Sequence, residues 1–234
     1  MIISNSQKYI FVHIPKCAGI SITDSLTGSI QWNDIILHGG KSEYGSELEP
    51  YFDRRYGLHG HATASAIRAV VGNKIWEEYL SFSFVRNPYA RVASLYNWVS
   101  KIVNNVEQRH WKEKDWYRWP LFHAFLETEN FSGFIRSHFF DKGHIARDQY
   151  SWVCDDRGEN IIVNFIGRTE SLDSDFASAL AAAGLPAIQL DKLNVSTKRD
   201  FRDMYTRQED IDLVYQKYYR DFKEFGYSSD INCA

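Results

Sequence analysis

The residues best suited to chemistry fall in three short stretches of the chain. In the first, His13-Ile14-Pro15-Lys16-Cys17-Ala18-Gly19-Ile20-Ser21, a lysine precedes a run of small residues where an apolar stretch gives way to a helical pattern. Backbone N–H groups in such a turn converge on one spot, and the helix dipole adds partial positive charge there, which suits a phosphate or sulfate. The lysine comes before the glycine, so this is not the GxxxxGK[ST] pattern. An ordinary strand-to-helix turn with a solvated lysine has the same residues. In the second stretch, residues 84–96 (FVRNPYARVASLY), Arg86 closes an apolar run at a place where open α/β sheets bind ligands. Its planar fork matches phosphate oxygens, and Ser94, two helical turns on, offers a hydroxyl. A structural ion pair for Arg86 and a packing role for Ser94 are the alternatives. The third stretch is Leu58-His59-Gly60-His61-Ala62. Two imidazoles at i and i+2 can serve as bases, ligate a metal, or simply face solvent. Nothing nearby completes an evident zinc set, and an unperturbed imidazole, with a pKa of about 6.5, accepts a proton at neutral pH.

These stretches need elements to hold them. Residues 9–14 (YIFVHI) are compact, apolar and rich in β-branched and aromatic side chains, which predicts a buried strand ended by Pro15. His13 is therefore expected to be structural. Ile22 and Leu26 then lie four apart, as on one face of a helix. Residues 80–85 (LSFSFV) predict a second strand, and Pro88 suits the first position of the helix that follows. Its apolar positions, Val92, Leu95, Tyr96, Val99 and Ile102, recur at three- and four-residue steps. Residues 161–166 (IIVNFI) predict a third strand, followed by a helix over 172–183 that ends at Gly184 and Pro186. Ile211, Val214, Tyr215, Tyr218, Phe222 and Phe225 mark one face of a single last helix. Strands alternating with helices predict an α/β fold with a mainly parallel sheet. Residues 28–60 and 104–160 show no clear period and are expected to be irregular, forming the substrate side. Within them, residues 108–125 carry three tryptophans among charges, which suits either a sugar platform or a small satellite core. Arg136, His138 and Arg147 suit either an anionic acceptor or a solvated surface.

Composition narrows the classes. Across 234 residues, 27 Lys+Arg stand against 30 Asp+Glu, a net charge of −3 without the basic footprint of a nucleic-acid binder. The three cysteines, Cys17, Cys154 and Cys233, are odd in number and lack CxxC spacing, which excludes a zinc knuckle and argues against a disulfide framework. No apolar run approaches the ~18 residues of a membrane span, and no signal peptide is evident. A single cytoplasmic domain over residues 1–234 is the expectation.

The motifs HIPKCAGISI and FVRNPYARVASLYN together resemble the carbohydrate-type sulfotransferases, which include the heparan sulfate 2-O-sulfotransferase group and its short bacterial relatives. Residues 166–172 (IGRTESL) and 215–227 (YQKYYRDFKEFGY) extend the resemblance over most of the chain, while residues 104–150 match only loosely. The resemblance implies a P-loop-kinase-like three-layer α/β core with a mainly parallel central sheet. It implies 3′-phosphoadenosine-5′-phosphosulfate (PAPS) as sulfo donor, adenosine 3′,5′-bisphosphate as product, a hydroxyl acceptor on a saccharide, and no metal. Lys16 would contact the phosphosulfate and its bridging oxygen. The backbone of Cys17, Ala18, Gly19 and Ile20, with Ser21, would cradle the 5′ end, and Arg86 and Ser94 would hold the 3′-phosphate. Ser196, Lys198 and Arg199 match by position a late loop that closes over the nucleotide. The family has a similar His-x-His pair at its acceptor, which implies His61 as general base with His59 assisting. Ile20 stands where relatives often carry Thr, so a hydroxyl is lost there while the backbone N–H remains. A nucleotide kinase and a nucleotide-binding module without chemistry are the competing functions.

Overall fold

The computed structural model describes residues 1–37, 43–104, 119–128, 130–190 and 200–233. They fall in two compact units, Met1–Arg86 with Gln149–Val195, and Asn87–Asp148 with Ser196–Ala234.

The first unit is built on a five-stranded sheet. Its strands are β1 (Ile2–Ser4), β2 (Tyr9–Val12), β3 (Ile35–Ile36), β4 (Leu80–Val85) and β5 (Phe165–Arg168), in the order β3-β1-β2-β4-β5. The central strands β2, β4 and β5 run parallel, while β1 and β3 add an antiparallel edge. This is the α/β class with a mainly parallel centre. Alternation on β4 sends Phe82 and Phe84 into a core shared with Tyr9, Phe11, Ile22 and Leu26. The intervening serines are buried too, and each finds a partner. Ser83 Oγ donates to the Val12 carbonyl at 2.7 Å, and Ser81 Oγ donates to Asn164 Oδ1 at 2.7 Å.

Helix α1 (Gly19–Thr27) follows β2 and buries Ile22 and Leu26, as their spacing predicts. Three more helices of this unit lead towards β4: α2 (Glu43–Tyr56), α3 (Ala64–Val71) and α4 (Asn73–Glu78). In the second unit α5 (Pro88–Val103) begins with Pro88 in its first turn, and the Asn87 side chain accepts from the N–H groups of Tyr89 and Ala90. Its apolar face joins Phe122, Phe134, Phe140, Tyr205 and Tyr218 in a second core.

Four expectations are corrected. The third strand starts at Phe165, not at residue 161, because the Asn164 side chain accepts the Ser81 N–H at 2.8 Å and occupies the ladder position a backbone carbonyl would take. Ile161 makes only a single bridge to Cys154 and stays 37% exposed. The described parts of 28–60 and 104–160 are also largely helical, holding α2, α6 (Pro120–Thr128), α7 (Phe131–Arg136), α8 (His138–Lys142) and α9 (Tyr150–Val153). These helices hid from periodicity because α6 to α9 are short and densely apolar, whereas α2 carries Pro50 and mixed charges. The last helix is two, α11 (Gln208–Lys217) and α12 (Tyr219–Glu224), following α10 (Leu172–Ala182) of the first unit. The break falls at Tyr218, which leaves helical geometry with its buried hydroxyl donating to the Ala146 carbonyl at 2.6 Å. Finally, Arg136 pairs with the buried Asp210 at 2.6 Å, a structural partnership within the second unit.

Where β4 meets β5, Phe84 pairs with Gly167, and a Cβ at Gly167 would overlap the Phe84 ring. Gly167→Ala should therefore destabilise the fold by about 1–3 kcal/mol, the usual cost of overpacking. Thermal unfolding checks this, and adding Phe84→Leu should recover part of the loss. An unchanged melting temperature for the single variant contradicts the close approach.

Candidate active site

Strands β2 and β4 are parallel neighbours paired from Tyr9↔Leu80 to Val12↔Ser83. The chain leaves both at the same, carboxyl edge of the sheet. From β2 it passes through His13, Ile14 and Pro15 into the loop 16–18, and from β4 it passes directly to Arg86. Ligands of open α/β sheets bind at this edge.

The loop has an unusual backbone. Lys16 (φ 69°) and Ala18 (φ 58°) both take left-handed conformations, while Cys17 between them does not. For residues with a Cβ this costs about 1–2 kcal/mol each. Successive residues of alternating hand turn their N–H groups into one concavity, an arrangement that receives anions. Ala18 is also the residue that opens α1, and its methyl group cannot accept from the first-turn N–H groups. By contrast α3, α5 and α7 are capped by Thr63, Asn87 and Asn130. The N–H groups and the dipole at the start of a helix favour an anionic acceptor. Gly19 is required here because a Cβ would run into the His13 imidazole. Cys17 and Ser21 are buried, Lys16 and Ala18 are half-buried, and Ile20 is exposed.

Arg86 is half-buried and its backbone is held at both ends by one side chain. Gln149 accepts the Arg86 N–H through Oε1 at 2.8 Å and donates Nε2 to the Arg86 carbonyl at 2.8 Å. The same Oε1 accepts from Cys17 Sγ at 3.1 Å.

The histidine pair is tied in just as closely. His61 Nδ1 lies 2.9 Å from the His13 carbonyl, and a carbonyl can only accept, so Nδ1 carries the proton. In the neutral ring Nε2 is then the basic nitrogen. The His61 ring meets the His13 ring edge-on at 4.4 Å between centroids. His59 Nδ1 accepts the His61 N–H at 3.2 Å, so His59 supports the backbone of its neighbour. Around them Glu49 Oε1 accepts the Gly60 N–H at 2.6 Å, and the Trp152 indole N–H donates to the His61 carbonyl at 3.0 Å.

The first unit therefore gathers the loop 16–21, His59, His61 and Arg86. Ser94 lies half-buried on α5 of the second unit. Ser196, Lys198 and Arg199 lie outside the described residues, as does most of the aromatic segment 108–125; its described end sends Leu121, Phe122 and Phe125 into the second core. Gln149, Trp152 and Glu49 carry no motif and were visible only through their hydrogen bonds. Among the described residues no group of His, Cys, Asp and Glu is arranged to hold a metal, and no helix is long and apolar enough to cross a membrane.

Comparison with known proteins decides the family: a model described as "Sulfotransferase family" matches residues 1–228. The chain belongs to the sulfotransferase family. As a family member it is an α/β protein of P-loop-like fold, a transferase of sulfo groups. An uncharacterized protein of Archaeoglobus fulgidus is 28% identical over 137 residues, 58% of this chain and 93% of that protein. No solved structure matches.

The tautomer of His61 is open to direct measurement. In ¹⁵N-correlated NMR spectra of the neutral ring, Nδ1 should carry the proton and Nε2 should be bare. A ring protonated at Nε2 alone contradicts the bond to the His13 carbonyl.

Proposed function

We propose that this sulfotransferase moves the sulfo group from PAPS to a hydroxyl of a saccharide, acting as one sulfotransferase domain over residues 1–234. The observation that carries the reading is the pairing of β2 with β4, which brings the strained loop before α1 and Arg86 to one edge of the sheet. The donor is an activated sulfate that leaves as adenosine 3′,5′-bisphosphate. Lys16 and the N–H groups of residues 17–20 face the 5′ end, with the Ser21 hydroxyl adding a donor. Preorganised donors of this kind stabilise negative charge as it builds on the leaving oxygen. Arg86 binds the 3′-phosphate with its planar fork, and the family resemblance implies the Ser94 hydroxyl as a further contact. Ser196, Lys198 and Arg199 complete the nucleotide site as the family resemblance implies.

His61 is the general base. With Nδ1 spent on the His13 carbonyl, Nε2 takes the proton from the acceptor hydroxyl as its oxygen attacks sulfur. The residue that accepts this bond, His13, lies three positions before Lys16 on the segment that leads from β2 into the phosphate loop, so base and loop share one anchor. His59 holds the His61 backbone, and no step in this scheme calls for a metal.

Calorimetry with adenosine 3′,5′-bisphosphate, set against ATP with magnesium, tests the donor. The bisphosphate should bind in preference, and Arg86→Ala should weaken it roughly 10- to 150-fold, the worth of a charge-assisted hydrogen bond. No preference for a 3′-phosphate would mean that Arg86 has another role. Transfer of labelled sulfate to a glycan panel tests the acceptor.

For His61→Ala the rate should fall by about 10²–10⁴, the span of general acid–base catalysis, with affinity for the bisphosphate unchanged. In the wild type the rate should rise with pH as the imidazole loses its proton, and the variant should lack that limb. Near-wild-type single-turnover rates in the variant would remove His61 from the mechanism and leave the donor site standing.

A further inference from the structure

Residues 149–152 reach the loop at Cys17, the backbone of Arg86 and the backbone of His61, yet none of them belongs to a motif. Gln149 is fully buried and stands at the start of α9, but its side chain does not cap that helix. Its amide instead reaches Arg86, 63 residues away in sequence, and Cys17, 132 residues away. The geometry at Arg86 is that of a β rung. One N–H and one C=O of the amide meet the C=O and N–H of Arg86, both at 2.8 Å, at the position just beyond the last β4–β5 pair, Val85↔Arg168. Backbone groups at a buried strand end must be paired, and here a side-chain amide does what a neighbouring strand would. One turn along, the buried Trp152 donates its indole N–H to the His61 carbonyl at 3.0 Å.

We propose that Gln149 and Trp152 are positioning residues: Gln149 sets the span between the 5′ loop and the arginine for the 3′-phosphate, and Trp152 sets the base histidine against them. The proposal rests on the sulfotransfer reading above. Gln149 acts through the backbone of Arg86 and the thiol of Cys17, so its effect is on discrimination between ligands that do and do not carry the second phosphate. Trp152 acts through the backbone of His61, so its effect is on turnover.

The test uses the full chain, titrated by calorimetry with adenosine 3′,5′-bisphosphate and with adenosine 5′-monophosphate. The quantity read is the ratio of the two affinities. In Gln149→Met, which keeps the shape and removes the hydrogen bonds, the ratio should fall by roughly tenfold, the worth of one to two hydrogen bonds. A purely structural role would weaken both ligands alike and leave the ratio unchanged. Gln149→Glu keeps the oxygen shared by Arg86 and Cys17 but, when ionised, cannot donate to the Arg86 carbonyl. It should give an intermediate ratio, and it stands in if the Met variant does not fold. Combining Gln149→Met with Arg86→Ala should lower the ratio no further than Arg86→Ala alone, because the glutamine works through the arginine. Trp152→Phe should leave the ratio intact and lower kcat by roughly tenfold, with the KM for donor unchanged.

A wild-type protein that does not distinguish the two ligands overturns the sulfotransfer reading itself. A wild type that prefers the bisphosphate, with Gln149 variants that keep the full ratio, overturns the role of Gln149 and leaves the reading intact. An unchanged kcat in Trp152→Phe overturns the role of Trp152.

Discussion

Everything at the site depends on the parallel pairing of β2 with β4. Two strands that run the same way end on the same side, so whatever follows each of them meets at one edge. In this chain a lysine with a turn of small residues follows β2, and an arginine follows β4. Ser83 reinforces the pairing from within the sheet, its hydroxyl donating to the carbonyl of Val12, the last residue of β2. Ser83 thus gives the parallel pair a polar cross-link that an all-aliphatic strand would lack, and Ser81 ties the other side of β4 to Asn164, just before β5.

The same edge explains how a strained loop persists. Left-handed conformations at Lys16 and Ala18 are unfavourable in isolation. They are held because the segment on either side is fixed: β2 is buried residue by residue, and Ile22 and Leu26 anchor α1 in the core. Strain of this kind concentrates at functional positions and lasts only where the surroundings over-determine it. The histidines follow the same logic, since His61 takes its orientation and its tautomer from a carbonyl of the β2 exit segment.

Much of this was legible in the sequence. The β2 run, the whole of β4 and the start of α5 at Pro88 could be read from apolar runs and punctuating prolines, because those patterns are local. The family followed from the motifs. What escaped was either too short or too distant. Strands β1 and β3, of three and two residues, have no period to detect. The start of β5 was displaced by a side chain, Asn164, that mimics backbone. Gln149 and Trp152 sat in a stretch without pattern, and their partners lie 63 to 132 residues away. A hydrogen bond over that separation leaves no trace in spacing.

The contact between His13 and Gly19 has a consequence for descent. An imidazole at position 13 fills the space that any side chain at position 19 would need. Position 19 cannot drift alone, since any side chain there demands a smaller residue at 13, and loss of the glycine before that exchange breaks the turn. Related chains should therefore show the two positions changing together, with histidine at 13 found beside glycine at 19. A chain that has exchanged both has also given up the ring that packs edge-on against His61, which then keeps only the backbone carbonyl of residue 13.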